Sequence, residues 1–314
     1  MQKLVLCSFI FLIISCQEKP SNNFIDLTTP KRIDDYSKLI WSDEFNGKVL
    51  NKKKWDIEET PDLRNVGGNH ELQYYVDSPQ NLFIGNNEKN SVLFIKPINV
   101  FNEYVTSSKI TTLDKFHFTY GKIKARIKAP SGAGVWPAFW AMGVDNRLPG
   151  MAWPLAGEID IMEIWGDDKN EEFSTSELYG TIHYGDKWPN NQFSGPTTRK
   201  INGKVIPDFG SDYHIYEVNW TADTISWSVD GFKYGSVALG STGVAGSSEY
   251  KNAAFNNNFY LILNVAIGGS SFYNKIKNQK LLDVLKGSDY KEKMNVINFD
   301  NSTMQVDWVR IFSN

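Results

Sequence analysis

The sequence predicts an all-β protein, a single antiparallel β-sandwich, and three observations carry that expectation. Residues 120–129, YGKIKARIKA, alternate strictly: Ile123, Ala125, Ile127 and Ala129 face one way and Lys122, Lys124, Arg126 and Lys128 the other. This is the period of a strand with one face on a core and one in water. Residues 213–237 repeat the signal, with Tyr216, Val218 and Trp220 and then Ile225, Trp227 and Val229 on one face, followed by the hairpin pair Asp230-Gly231. Finally, no helical period lasts more than a couple of turns, and the chain has no internal repeat.

Taken in order, the chain opens on MQKLVLCSFIFLIISC, where Lys3 supplies a small positive start and an apolar run follows. The run is too short to cross about 30 Å of hydrocarbon as a helix, so it reads as a signal peptide over 1–15. Its end, Ile13-Ile14-Ser15-Cys16, resembles the lipobox of bacterial lipoproteins, which implies lipidation of Cys16. Gln17 resembles the residue that sorts such proteins to the outer membrane. Residues 16–38 are polar, contain Pro, Ser and Asn, and read as a tether. The folded domain is expected over 39–314.

Within that domain, Phe259–Ile267 (FYLILNVAI) is nearly continuous in apolar residues, as for a strand buried on both sides. The closing MQVDWVRIF alternates again, and a short helix is expected within 275–293. Both cysteines, Cys7 and Cys16, precede the domain, so it has no disulfide and must stand on its core. Cysteine nucleophiles and cysteine-ligated metals are excluded there. With 33 Lys+Arg against 36 Asp+Glu, a net charge of -3, there is no electrostatic case for nucleic acid. The ten Trp are more pointed, since a buried indole N–H needs a partner: they suggest a large aromatic core or flat ligand surfaces.

Chemistry concentrates in 156–166, AGEIDIMEIWG. Glu158 and Asp160, two apart, share one strand face, whereas Glu163 is out of phase and falls on the core side with the isoleucines. A lone carboxylate there costs several kcal/mol. One extra residue at Ile161 or Met162, a β-bulge, returns Glu163 to the face of the other two. Glu158 and Glu163 then lie about 13 Å apart at Cα, and on a concave strand their carboxyls can lean toward the roughly 5–5.5 Å of a retaining glycosidase. Three crowded acids cannot all ionise freely, so at least one pKa should rise. The same spacing also fits a Ca2+ site or a solvated strand edge. Trp136, Trp140 and Trp153 lie upstream and Trp165, His183 and Trp188 downstream, offering flat faces suited to sugars. Trp220, Trp227 and Trp308 are expected in the core.

GEIDIME, WPAFWAMG (136–143), NHELQYY (69–75), HYGDKWPNN (183–191) and VDWVRIF together resemble glycoside hydrolase family 16, most closely its laminarinase-like β-1,3-glucanases, from about Trp41 to Phe312. The resemblance implies a concanavalin-like β-jelly roll of two antiparallel sheets with a concave substrate cleft, and a retaining mechanism. It makes Glu158 the nucleophile, Glu163 the acid/base and Asp160 the group between them. Trp136, Trp140, Trp153, His183 and Trp188 are implied to bind substrate, with Asn69 and Glu71 at the cleft rim. No cofactor is required for catalysis, but Glu44 and Asp307 resemble ligands of a structural Ca2+. Two departures bear on substrate: Ser108-Lys109, where many relatives carry Arg, and Ser270-Ser271-Phe272, where many carry an aromatic-Pro pair.

The expectation is therefore a monomeric, exported, lipid-anchored endo-β-1,3-glucanase acting on laminarin-type glucan, with mixed-linkage β-1,3-1,4-glucan as a further substrate. It would meet the membrane only through its anchor. The alternatives are an agar- or carrageenan-type galactan hydrolase of the same fold and a non-catalytic glycan-binding lipoprotein.

Overall fold

The computed structural model describes residues 38–314 apart from 62–68, 88–89, 168–176, 241–253, 272–274 and 276–277. The signal peptide, Cys16, Gln17, the tether up to residue 37, and Phe272 lie outside the described residues.

Two eight-stranded antiparallel sheets form the domain. One runs Phe232–Ala238, Thr224–Val229, His214–Trp220, Gly121–Lys128, Met304–Phe312, Ser91–Ile95, Leu82–Asn86, with Leu39–Asp43 also paired to Met304–Phe312. The other runs Gln192–Ser194, Leu178–Tyr184, Glu158–Glu163, Val135–Gly143, Phe259–Ile267, Lys109–Thr111, Asp56–Ile57, with Thr197–Thr198 also paired to Leu178–Tyr184. A small third sheet joins Gln73–Tyr75 to Tyr104–Ser107 in parallel, a pairing the sequence did not signal.

Alternation places the residues as expected. Ile123, Ala125 and Ile127 are fully buried while the intervening Lys and Arg face outward. Tyr216, Val218 and Trp220 bury against them. Asp230 and Gly231 both take positive φ, 49° and 80°, as a two-residue turn of right-handed hairpin twist requires. Phe259–Ile267 is buried at all nine positions. Phe259, Leu261, Leu263, Val265 and Ile267 join the main core between the sheets, whereas Tyr260 and Ile262 pack on the opposite face with Met142, Trp140 and Trp153. That second face is the floor of the site.

Two elements correct the sequence expectation. The 275–293 segment holds two short helices, Gln279–Lys286 and Tyr290–Val296, N-capped by Asn278 and Asp289. Trp308 is not in the core: the register slips between Val306 and Trp308, and the extra residue turns Trp308 outward, beneath Arg310 at 4.1 Å. Trp220 and Trp227 are fully buried, as expected.

Candidate active site

The Glu158–Glu163 strand is the centre of the second sheet's exposed face. Against Val135–Gly143 the pairing runs Met142↔Glu158, Ala141↔Ile159, Trp140↔Asp160 and then jumps to Phe139↔Met162 and Ala138↔Glu163. Against Leu178–Tyr184 it jumps between Asp160 and Glu163 in the same place. The bulge therefore absorbs one residue at Ile161–Met162 and returns Glu163 to the face of Glu158 and Asp160. Ile159, Ile161, Met162 and Ile164 remain in the core. The location is fixed by hydrophobicity: this phase alone buries those four apolar side chains and spares Glu163 the core.

From the opposite sheet Trp227 crosses the core, its indole Nε1–H donating to the main-chain carbonyl of Asp160 at 2.7 Å. Gly180 makes room for it, since a Cβ there would lie 2.3 Å from Trp227 Cδ1. The bulge is thus held from behind.

On the open face, Trp136 Nε1 donates to Glu163 Oε1 at 3.0 Å. His183, directly across from Glu158, places Nε2 at 3.9 Å from Glu158 Oε1 and 3.4 Å from Asp160 Oδ2. Asp160 and Glu163 are buried. Burial, then the charge of Asp160, pushes Glu158 up to about 8. Burial raises Asp160, and burial followed by Asp160 raises Glu163 well above the usual carboxylate range. The expected crowding is present, and burial together with the Asp160 charge favours the protonated form of Glu163.

Aromatic side chains flank the acids on both sides. Toward Glu158, Trp153 lies 5.8 Å from the His183 ring and 6.1 Å from Trp188, and Phe193 lies 5.9 Å from His183. Trp188 and Phe193 are each 69% exposed, open platforms at the sheet edge. Toward Glu163, Trp136 stacks on Trp165 at 5.4 Å, Trp165 meets Tyr179 edge-on, and Lys275 Nζ sits 4.1 Å from the Tyr179 ring.

On the neighbouring strand Trp140 Nε1 donates to Asn264 Oδ1 at 2.7 Å, and Asn264 Nδ2 donates to the Tyr75 hydroxyl at 2.9 Å. Lys109 Nζ lies over both rings and pairs with Glu58 at 2.7 Å. Asn264 is the single polar residue of FYLILNVAI, and that interruption was the available signal for it. Tyr179 and Lys275 carried none.

Asn69 and Glu71 lie beyond Tyr75, whose hydroxyl feels the Glu71 charge. They bond each other at 3.2 Å and dock on the turn after Phe259–Ile267, where Ser270 N donates to Asn69 O. Asp307 lies on the opposite sheet, and Glu44 directly follows that sheet's Leu39–Asp43 strand. Arg310 clamps Glu44 with two bonds of 3.0 and 2.7 Å and holds its carboxyl below the usual range. Arg126 lies 2.6 Å from Asp307, which also accepts from Asn90.

The sequence profile of the glycosyl hydrolases family 16 matches residues 65–251. The chain belongs to glycoside hydrolase family 16. Within the family it is 36% identical over 285 residues to glucan endo-1,3-beta-glucosidase A1 of Niallia circulans, covering 87% of this chain and 37% of that protein. The chain thus spans little more than a third of that relative's length. Among solved family 16 structures, the catalytic domain of an endo-1,3-beta-glucanase (laminarinase) from Thermotoga petrophila is 30% identical, with a TM-score of 0.64 over 88% of this chain and 98% of that one. A Bacteroides ovatus mixed-linkage glucan family 16 structure, solved with its product, is 26% identical, with a TM-score of 0.64 over 87% of this chain and 100% of that one. The jelly-roll architecture of the family is the fold of this chain.

Proposed function

We propose that this family 16 chain is a retaining, endo-acting β-1,3-glucanase that accepts laminarin-type glucan and, with it, mixed-linkage β-1,3-1,4-glucan. The observation that carries the reading is the bulge, which brings Glu158, Asp160 and Glu163 onto one face between two groups of aromatic rings. In the reactive form Glu158 is a carboxylate and Glu163 protonated: Glu158 attacks the anomeric carbon and forms the glycosyl-enzyme ester, while Glu163 delivers its proton to the departing glycosidic oxygen. Glu163, now a carboxylate, takes a proton from water, whose oxygen displaces Glu158 and releases the sugar with its anomeric configuration retained. Asp160, between them, sets the charge each experiences. Trp136 aims the acid, and the remaining indoles supply faces for the C–H surfaces of glucose units.

The apolar segment ending in Ser15-Cys16 supports a further proposal, export and lipid anchoring through Cys16 at the outer membrane, with the domain acting as a monomer. The functional reading is tested by reducing-sugar release from laminarin, mixed-linkage glucan, agarose and carrageenan under one set of conditions. Release from the two glucans is expected. Release only from agarose or carrageenan would establish the galactan hydrolase instead, and binding without release from any of them would establish a glycan-binding protein.

A further inference from the structure

Glu158, Asp160 and His183 each turn one ligand atom toward a common point, and these three atoms lie within 4.8 Å of one another. Among the described residues no other group of three His, Cys, Asp or Glu side chains is drawn together in this way. His183 Nε2 stands 3.4 Å from Asp160 Oδ2 and 3.9 Å from Glu158 Oε1. Asp160 is only 3% exposed, and its Oδ2 faces this point without making a hydrogen bond. A buried acceptor that makes no hydrogen bond is costly, and the side chain beside it is an imidazole, a group that ligates metals.

The dimensions suit a particular ion. Zn2+ binds nitrogen and carboxylate oxygen at about 2.0–2.2 Å in tetrahedral geometry, which sets neighbouring ligand atoms roughly 3.3–3.5 Å apart. The His183–Asp160 edge already has that length, the His183–Glu158 edge is 3.9 Å, and the Glu158 and Asp160 ligand atoms lie within 4.8 Å of each other, so closing on an ion asks only for a side-chain adjustment of Glu158. The three donors sit on two adjacent strands, with His183 directly opposite Glu158, so strand register fixes the trio. Three protein ligands leave the fourth position open toward the cleft. The nitrogen ligand and the small count disfavour Ca2+ and Mg2+, which take six or more oxygens.

We infer that Glu158, Asp160 and His183 form an inhibitory site for a first-row divalent cation of the Zn2+ type. The ion occupies the carboxylate that the hydrolytic reaction requires as nucleophile, so metal and glucan exclude each other; this consequence, unlike the site itself, rests on the proposed glucanase reading.

The test is calorimetric titration of Zn2+ into the full chain carrying Glu163→Gln, with Cys7 and Cys16 alkylated, because Glu163 is outside the trio. One Zn2+ per chain is expected at micromolar concentration, with no heat from Ca2+ and a tetrahedral d–d band when Co2+ is used. Adding His183→Gln, or Asp160→Asn as a second variant, should weaken binding at least about tenfold. Equal Zn2+ binding with and without these two changes would overturn the site. In the unmodified chain, laminarin hydrolysis should fall on adding Zn2+ and return with EDTA; equal rates in both would overturn the inhibition. Calorimetry does not read turnover, so a chain that binds Zn2+ at the trio yet leaves laminarin intact refutes the glucanase reading alone.

Discussion

The indole N–H of Trp227 reaches through the sandwich from one sheet and bonds the main-chain carbonyl of Asp160 in the other, at 2.7 Å. The bond lands one residue before the bulge that brings Glu163 back to the face of Glu158. A core tryptophan thereby acts as a positioning residue for the acids. Trp227→Phe keeps a buried aromatic ring but removes the donor and part of the indole volume, which together cost about 1–3 kcal/mol of stability. Its larger effect should be on turnover: kcat on laminarin falls by about tenfold while KM changes little, since a shifted nucleophile weakens the transition state and not the binding of distant sugar units. Gly180→Ala attacks the same contact from the other side, its Cβ landing 2.3 Å from Trp227 Cδ1. Overpacking there should cost about 1–3 kcal/mol in thermal unfolding and lower kcat in parallel.

Much of this was legible in the sequence, and the limits have physical causes. The bulge could be placed because Glu163 is out of phase among isoleucines and burying it alone is too costly. The flanking indoles could be assigned because they crowd the acids along the chain. The bond between Trp227 and Asp160 could not, since nothing local couples residues 67 apart. Trp308 misled because alternation was read through a second bulge, at Asp307, although unbroken alternation would set Arg310 on the core side and turn Val309 and Ile311 outward. Lys109 is a departure from the family pattern and Tyr75 lies in NHELQYY, but their meeting over Trp140 and Asn264 comes from the pairing of strands distant in sequence, which only topology reveals.

The crowded acids should cost the fold stability in a defined pH window. Glu158 has an ordinary value of 4.5 and is pushed up to about 8 in the folded chain, first by burial and then by Asp160. The folded state therefore holds a proton that the unfolded chain releases between these values, and stability declines as pH rises through the window. Glu158→Gln removes this dependence. Its melting temperature should exceed that of the unmodified chain by an amount that grows from pH 5 to pH 8, corresponding to a few kcal/mol at the upper end, and that vanishes near pH 4. A melting difference independent of pH would contradict the assignment.

Glu163 offers the complementary kinetic test. Glu163→Gln cannot donate the proton, so turnover of laminarin should fall by at least about a thousandfold while oligosaccharide affinity is retained. An aryl glucoside with a leaving group that departs without protonation should restore the first step and leave the glycosyl-enzyme to accumulate. Trp136→Phe is milder: it removes the hydrogen bond at 3.0 Å that favours the Glu163 carboxylate. The acid then holds its proton more tightly, so the alkaline limb of the kcat profile should move upward while its maximum drops.

Trp188 tests whether the exposed aromatic edge binds substrate or merely covers the sheet. Its ring is 69% exposed and touches Trp153, which in turn lies 5.8 Å from His183 beside Glu158. Removing so exposed a side chain should leave the melting temperature almost unchanged, because little of it packs against the core. If glucose units stack on it, Trp188→Ala should raise KM for long laminarin chains several-fold and leave kcat nearly intact, the signature of lost uniform binding. Short oligosaccharides that do not reach the edge should be cleaved at the original rate. The comparison of long and short substrates carries the argument, since general damage to the site would slow both, whereas loss of a remote platform slows only the chain long enough to lie on it.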